Sequence, residues 1–289
     1  FVTIALLYII YSKLEIQRVY TNIISADSVY LLLSIFLIIV SIFISSLRWQ
    51  LLVNLILEKP LKTNESFKIN LIANFFNLFS PGRLFGDAYR VYFLHTSDLN
   101  KSISIISIIF DRLFFLLVTL FTGSLLIFWM DEFLIESIIP ILILSLLFFI
   151  ILSILLVIRI KPFKNSIFFS ELYSYLEILL SNKTVAINAL MLSFLMLFTS
   201  IIFMSSILKS IGITLEMTEI SIILVLTALF ASLPITISGL GLREGILIYL
   251  LSNNGILSEE AVSVSIIWYI GLVISSLPGY IMLIKRKIL

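Results

Sequence analysis

SPGRLFGDAYRVYFL, residues 80–94, places Arg83, Asp87 and Arg90 directly behind a Pro-Gly pair. In a water-soluble protein such a cluster would be an ordinary solvated surface. This chain has little water-facing character to hold it: 61% of its 289 residues are hydrophobic and 12% are charged, with a mean hydropathy of +1.19. Most of the length lies in apolar runs of about the ~20 residues a helix needs to cross a ~30 Å hydrocarbon core. The composition therefore predicts an all-α integral membrane protein, a polytopic helical bundle forming a single transmembrane domain over 1–289. A formal net charge of +2 gives no sign of nucleic-acid binding, and the lack of Cys excludes disulfides, thiol catalysis and cysteine-ligated metal.

Working outward from 80–94, apolar segments long enough to cross fall at about 27–57, 103–130, 137–158, 184–208 and 261–284. Residues 1–12 read as the end of a longer first span. They lack the basic stretch and small-residue cleavage pattern of a signal peptide. About six crossing helices are thus expected. Two stretches are too interrupted to join them. Residues 66–94 carry Asn70, Asn74 and Asn77 and break at Ser80-Pro81-Gly82, and residues 218–251 break at Pro234 and at Gly239-Leu240-Gly241. Both are predicted to be re-entrant broken hairpins, whose non-helical backbone needs protein or a wet cavity around it.

Cytoplasmic loops collect Lys and Arg. Arg159, Lys161, Lys164 and Lys183, and Lys285, Arg286 and Lys287, mark inner ends; Asp131, Glu132, Glu136, Glu259 and Glu260 suit the outer face. The resulting expectation is a multi-pass protein of the plasma membrane with both termini cytoplasmic, against which Lys13 and Arg18 fall outside. The first hairpin, flanked by Lys59, Lys62, Lys68 and Lys101, opens inward and the second outward. Residues 163–181 alternate Phe, Tyr and Leu with Ser and Glu, as an amphipathic helix on the inner surface would. Setting Gly82 over Gly239 also aligns Asp87 with Glu244, Tyr92 with Tyr249 and Leu94 with Leu251, which predicts an inverted repeat of halves 27–158 and 184–285.

A helix beginning after Pro81-Gly82 would carry Arg83, Asp87 and Arg90 on one face, at i,i+4 and i,i+3 spacing. Its start would present free N–H groups, a natural phosphate seat beside arginines. Gly239, Gly241, Arg243 and Glu244 repeat the pattern. Asp111-Arg112 lies inside the 103–130 span, where each charge costs roughly 2.5–3.5 kcal/mol near a helix centre. Such residues face a cavity or one another. Four arginines, Arg83, Arg90, Arg112 and Arg243, stand against Asp87, Asp111 and Glu244, a balance that one anionic headgroup would complete. The simpler alternative is that Arg83–Asp87 and Asp111–Arg112 pair as structural glue. Arg48 is expected to snorkel and Trp49 to sit in the interfacial aromatic belt. His95 reads as interfacial, and the three Asn either line a polar path or satisfy hairpin backbone.

At these residues the sequence resembles the flippase-like domain family, the membrane part of lysylphosphatidylglycerol synthases and their stand-alone relatives. Members typically show an Arg-Trp ending an early span, a P-G-R-x-G-[DE]-x-x-R element, an acidic-Arg pair in the next span and a later P-x-x-x-x-G-x-G-x-R-E element. This chain has Arg48-Trp49, PGRLFGDAYR, Asp111-Arg112 and PITISGLGLRE in that order. One extra residue separates Arg83 from Gly86. The resemblance implies movement between leaflets of an anionic or aminoacylated phospholipid, or of a polyprenyl-phosphate-linked sugar. On that reading, charge beside the broken helices makes Arg83, Asp87, Arg90, Asp111, Arg112, Gly239, Gly241, Arg243 and Glu244 the expected substrate-contacting residues, with Pro81, Gly82 and Pro234 at the hairpin breaks. Membrane lipids are the expected partners, together with a partner lipid-modifying enzyme. The lysyl-transferring domain of two-domain members is not found in these residues, so the chain is not expected to be an enzyme, a membrane-embedded activity on lipid-linked substrates being the alternative; no catalytic residue, cofactor or metal is expected. The rival readings are a small-solute or ion-coupled secondary transporter, or a membrane subunit assisting a lipid-modifying enzyme.

Overall fold

The computed structural model describes residues 2–95, 101–129, 139–160, 166–231 and 233–288. Asp131, Glu132, Glu136, Lys161 and Lys164, used above to orient the loops, lie outside them. The described residues form twelve α-helices: α1 (Val2–Tyr11), α2 (Ile16–Ile24), α3 (Ser28–Val53), α4 (Thr63–Asn77), α5 (Leu84–His95), α6 (Lys101–Leu126), α7 (Ile139–Ile160), α8 (Ile167–Ser181), α9 (Lys183–Ser210), α10 (Met217–Ala231), α11 (Leu242–Ser252) and α12 (Ser258–Ile288). Among the described residues, four segments are long and apolar enough to cross a membrane: Ser28–Val53, Lys101–Trp129, Lys183–Ser210 and Ser258–Lys285. They match four of the expected spans. The protein is an integral membrane helical bundle. Of the other two expected spans, residues 139–160 form an apolar 22-residue helix, and residues 2–11 form a helix of 10 residues, about 15 Å long at ~1.5 Å per residue.

Both interrupted stretches are helix, break, helix. The first runs α4, a break at 78–83, then α5; the second runs α10, a break, then α11. The breaks carry left-handed backbone: Gly82 has φ +53° and Arg83 +66°, and Ser238, Gly239 and Gly241 have +52°, +78° and +89°. Glycine adopts this region freely, whereas Arg83 and Ser238 hold it against their own Cβ.

The helices divide into two compact units, built from non-contiguous chain. One comprises Phe1–Ile42, Asn70–Asp87 and Phe198–Leu289; the other comprises Phe43–Ile69 and Ala88–Leu197. The division cuts across the sequence halves 27–158 and 184–285.

In the first unit, α10 is its most deeply embedded helix, with every residue from Ile220 to Thr227 buried. A helix apolar on all sides needs protein or lipid around its whole circumference; here it has protein. The two breaks meet in this unit. Pro81 and Ile237 form an isolated antiparallel bridge, Ser238 N donates to Ser80 O at 3.0 Å, and a Cβ on Gly82 would lie 2.9 Å from Pro234 Cβ. Backbone at each break is thus partnered by backbone of the other.

In the second unit, α8 packs Tyr175, Leu176 and Leu179 into a core with Leu52, Ile106, Phe110, Phe114 and Ala189. Much of the apolar face expected to lie on the inner membrane surface is therefore covered by protein. Tyr175 Oη donates to Leu52 O at 3.0 Å. Burial, assisted by the Asp111 charge, pushes this phenol well above its ordinary range, so it stays a donor.

Candidate functional site

Among the described residues, each unit carries a buried charged station. In the second unit Asp111, in the middle of α6, uses both carboxylate oxygens. Arg48 Nε donates to Oδ1 at 2.7 Å and Arg90 Nη1 to Oδ2 at 3.0 Å. Arg48 Nη1 also reaches Ser193 Oγ on α9 at 3.0 Å. All three charged residues are almost fully buried, at 3%, 4% and 2% exposure for Arg48, Arg90 and Asp111. Aromatic faces complete the shell: the Arg48 guanidinium lies 5.6 Å from the Phe115 ring and that of Arg90 5.6 Å from Trp49. A desolvated guanidinium is held by such a face as well as by its carboxylate.

The position of Arg48 and Trp49 corrects the sequence expectation. Arg48 does not snorkel and Trp49, fully buried, is not in an interfacial belt. The cause is Asp111: a carboxylate inside the bundle offers an arginine from a neighbouring helix a stronger partner than the distant headgroups. The Arg-Trp element of the family resemblance was the available signal. Ser193 had none.

In the first unit Arg243 and Glu244 open α11. Glu244 Oε2 accepts from Gly241 N at 2.6 Å, closing the helix start. Arg243 Nε donates to Ser265 Oγ at 2.6 Å, and Ser265 donates onward to Glu244 Oε1 at 2.6 Å. The Arg243 guanidinium lies 5.3 Å from the Trp268 ring and 5.9 Å from Tyr269. Ser265, Trp268 and Tyr269, all on α12, were not foreseen; their i,i+3 and i,i+4 spacing marks a face, but nothing in it signals an arginine.

The first hairpin departs from expectation at its tip. Arg83 precedes α5 instead of lying on its face, because Gly82 and Arg83 together make the left-handed turn that ends the break. Nor does α5 open with free N–H groups. Leu84 N donates to Pro81 O and Asp87 N to Arg83 O, while Phe85 N reaches Ser80 Oγ at 2.9 Å and Gly86 N reaches Asn77 Oδ1 at 3.0 Å. The chain's own acceptors fill the anticipated phosphate seat, and Asn77 is a hairpin-backbone ligand. Arg83 is exposed, Asp87 and Arg112 are half-buried and His95 is exposed.

These features define a class: an integral membrane bundle with two broken helix pairs and ionised side chains buried at spanning helices. The family model for the lysylphosphatidylglycerol synthase TM region matches residues 1–279, and the chain belongs to that family. No curated protein matches it.

Proposed function

We propose that the chain is a flippase-like lipid transporter, moving an anionic or aminoacylated phospholipid, or a polyprenyl-phosphate-linked sugar, between leaflets of the plasma membrane. The observation that carries the reading is the pair of buried stations, Arg48–Asp111–Arg90 and Arg243–Ser265–Glu244, in a member of a membrane family associated with a charged phospholipid. Ionisable groups at membrane depth are expensive and mark substrate paths. Arg83, Arg90, Arg112 and Arg243 contact the lipid phosphate during passage. Asp87, Asp111 and Glu244 orient those arginines, and Gly239 and Gly241 let backbone approach. The broken hairpins are re-entrant and both termini are cytoplasmic. The chain performs no chemistry on the lipid itself and receives it from a lipid-modifying partner.

Reconstitution into liposomes with labelled phosphatidylglycerol, its lysyl ester and a polyprenyl-phosphate sugar tests the reading. Accelerated leaflet exchange of at least one, lost in Arg83→Ala protein that remains folded, supports it. Exchange at the rate of protein-free liposomes for all three rejects it.

A further inference from the structure

Lys13 and Arg18 run against the loop-charge pattern, and Arg18 lies on α2, a helix the transport reading does not use. Five of the nine residues of α2 are apolar: Ile16, Val19, Tyr20, Ile23 and Ile24. With about 100° between neighbours, they fall on one continuous arc of the helix. Gln17, Arg18, Thr21 and Asn22 fill the rest. Protein covers only part of the apolar arc. Val19 is buried and Ile23 half-buried, whereas Ile16, Tyr20 and Ile24 are 67%, 58% and 64% exposed. These three stand at i, i+4 and i+8, one above another along the helix. The polar side is open as well: Gln17, Arg18 and Thr21 are exposed, and Arg18 pairs with its neighbour Glu15.

Hydrogen bonds within the first unit fix the depth of α2. Glu15 N donates to Glu259 Oε1 at 3.3 Å and Asn22 Nδ2 to Ser263 Oγ at 3.4 Å, so α2 lies along the opening turns of α12. Just beyond it, Asp27 N donates to Ser210 O at 2.7 Å, where α3 begins and α9 ends. Three spanning helices thus start or stop beside α2. The span Ser258–Lys285 has 28 residues, about 42 Å at ~1.5 Å per residue. It exceeds a ~30 Å hydrocarbon core by about 6 Å at each end. Glu259 and Ser263 stand about 1.5–7.5 Å from its start, so α2 occupies the level where headgroups give way to acyl chains. Its exposed stripe continues into α3, whose Val29, Leu32 and Phe36 are 69%, 68% and 60% exposed along a membrane span.

We propose that α2 is an interfacial helix, whose stripe of Ile16, Tyr20 and Ile24 beds into the acyl boundary of the leaflet at that end of the bundle. Gln17 and Thr21 face the headgroups and water. The partner is the bilayer itself, recognised by burial of apolar surface. A helix with three sectors takes three surroundings: protein for Val19 and Ile23, lipid for the stripe, water for the polar side. Tyr20 suits the boundary, with a ring for the hydrocarbon and a hydroxyl for the headgroups. Lys13 and Arg18 then belong to a surface helix at the level of lipid phosphates rather than to a loop whose charge sets orientation. The inference goes beyond the transport reading and does not depend on it.

The chain contains no Cys, so single nitroxide labels can be placed through Ile16→Cys, Gln17→Cys, Tyr20→Cys, Thr21→Cys and Ile24→Cys in the full chain, reconstituted in phosphatidylcholine nanodiscs. Power saturation compares collisions with oxygen, which concentrates in hydrocarbon, against those with a water-soluble nickel chelate. Labels replacing Ile16, Tyr20 and Ile24 are expected about 5–10 Å below the phosphates. Oxygen collisions there should exceed those of the chelate several-fold, with the order reversed at Gln17 and Thr21. The chelate favoured at all five positions places α2 in water and overturns the proposal. Stripe labels shielded from both reagents, as a second copy or a partner protein would shield them, overturn it equally. The unsubstituted chain gives an independent measurement. Phosphatidylcholine with a diazirine beside its ester carbonyls should attach to Ile16, Tyr20 or Ile24, and attachment at none of the three also overturns the proposal. Neither readout needs lipid exchange, so a chain inert in transport leaves this result standing.

Discussion

Ser238 donates its backbone N–H to the carbonyl oxygen of Ser80 at 3.0 Å, next to the antiparallel bridge of Pro81 with Ile237. Moving along the chain by the offset that carries Gly82 onto Gly239 exchanges these two pairs. The exchange holds for which residues face each other and not for the hydrogen bond, because Pro81, which the offset aligns with Ser238, has no N–H to donate to Ile237. The glycines allow the close approach.

Gly82 tests that seam. Alanine there adds a left-handed penalty of about 1–2 kcal/mol and sets its methyl 2.9 Å from Pro234 Cβ. Gly212→Ala carries the backbone penalty alone, with φ +84° and nothing within 4 Å. Thermal unfolding in detergent should show Gly82→Ala the less stable of the two; equal midpoints would mean the tips do not pack so closely.

Arg83 separates strain from function. Its φ of +66° disfavours any side chain, so Arg83→Gly relaxes the backbone by about 1 kcal/mol. The expected result is an unfolding temperature no lower than wild type together with lost lipid exchange. Retained exchange would reduce Arg83 to a turn residue.

At Asp111, replacement by Asn keeps the shape and removes the charge that two buried arginines share. Leaving them uncompensated costs about 3–5 kcal/mol. We expect a large fall in folded yield by size-exclusion chromatography, with Asp111→Asn/Arg48→Met recovering part of it. A single variant as stable as wild type would contradict the buried geometry.

Two α-helical glycines should respond in opposite directions. A Cβ on Gly245 meets nothing within 4 Å, so alanine there gains up to about 1 kcal/mol of helix propensity. On Gly279, which follows Pro278 in α12, a Cβ would run into the Leu71 carbonyl of α4. Gly279→Ala should destabilise by about 1–3 kcal/mol. Paired melting curves decide, and a stabilising Gly279→Ala would place α4 further from α12.

Helix boundaries were the legible part of this chain, because apolar run length and Pro-Gly punctuation act locally. The expected break at 80–82 and the observed one at 78–83 nearly coincide. The site was half legible. Asp111, Arg90, Arg243 and Glu244 announce themselves by charge in apolar surroundings, and all four are buried. Their partners do not. Arg48 looked like an anchor because its distance to Asp111 is set by how α3 and α6 pack, not by sequence spacing. Ser265 resembles the other buried serines along its helix, and only Arg243 in space distinguishes it. The repeat illustrates the same limit: Glu244 is the third residue of α11 but Asp87 the fourth of α5, so residues that align in sequence occupy different helical positions.

Because each unit is assembled from separated stretches of chain, synthesis imposes an order on them. The unit made of 43–69 and 88–197 has all its residues once residue 197 has left the ribosome, whereas its neighbour still lacks 198–289. During that interval Asn70–Asp87, with the first hairpin's tip, has been translated without Ile237 or Ser238 to bond. A nascent chain arrested there would expose unpaired backbone, and is the form most in need of an insertase or chaperone.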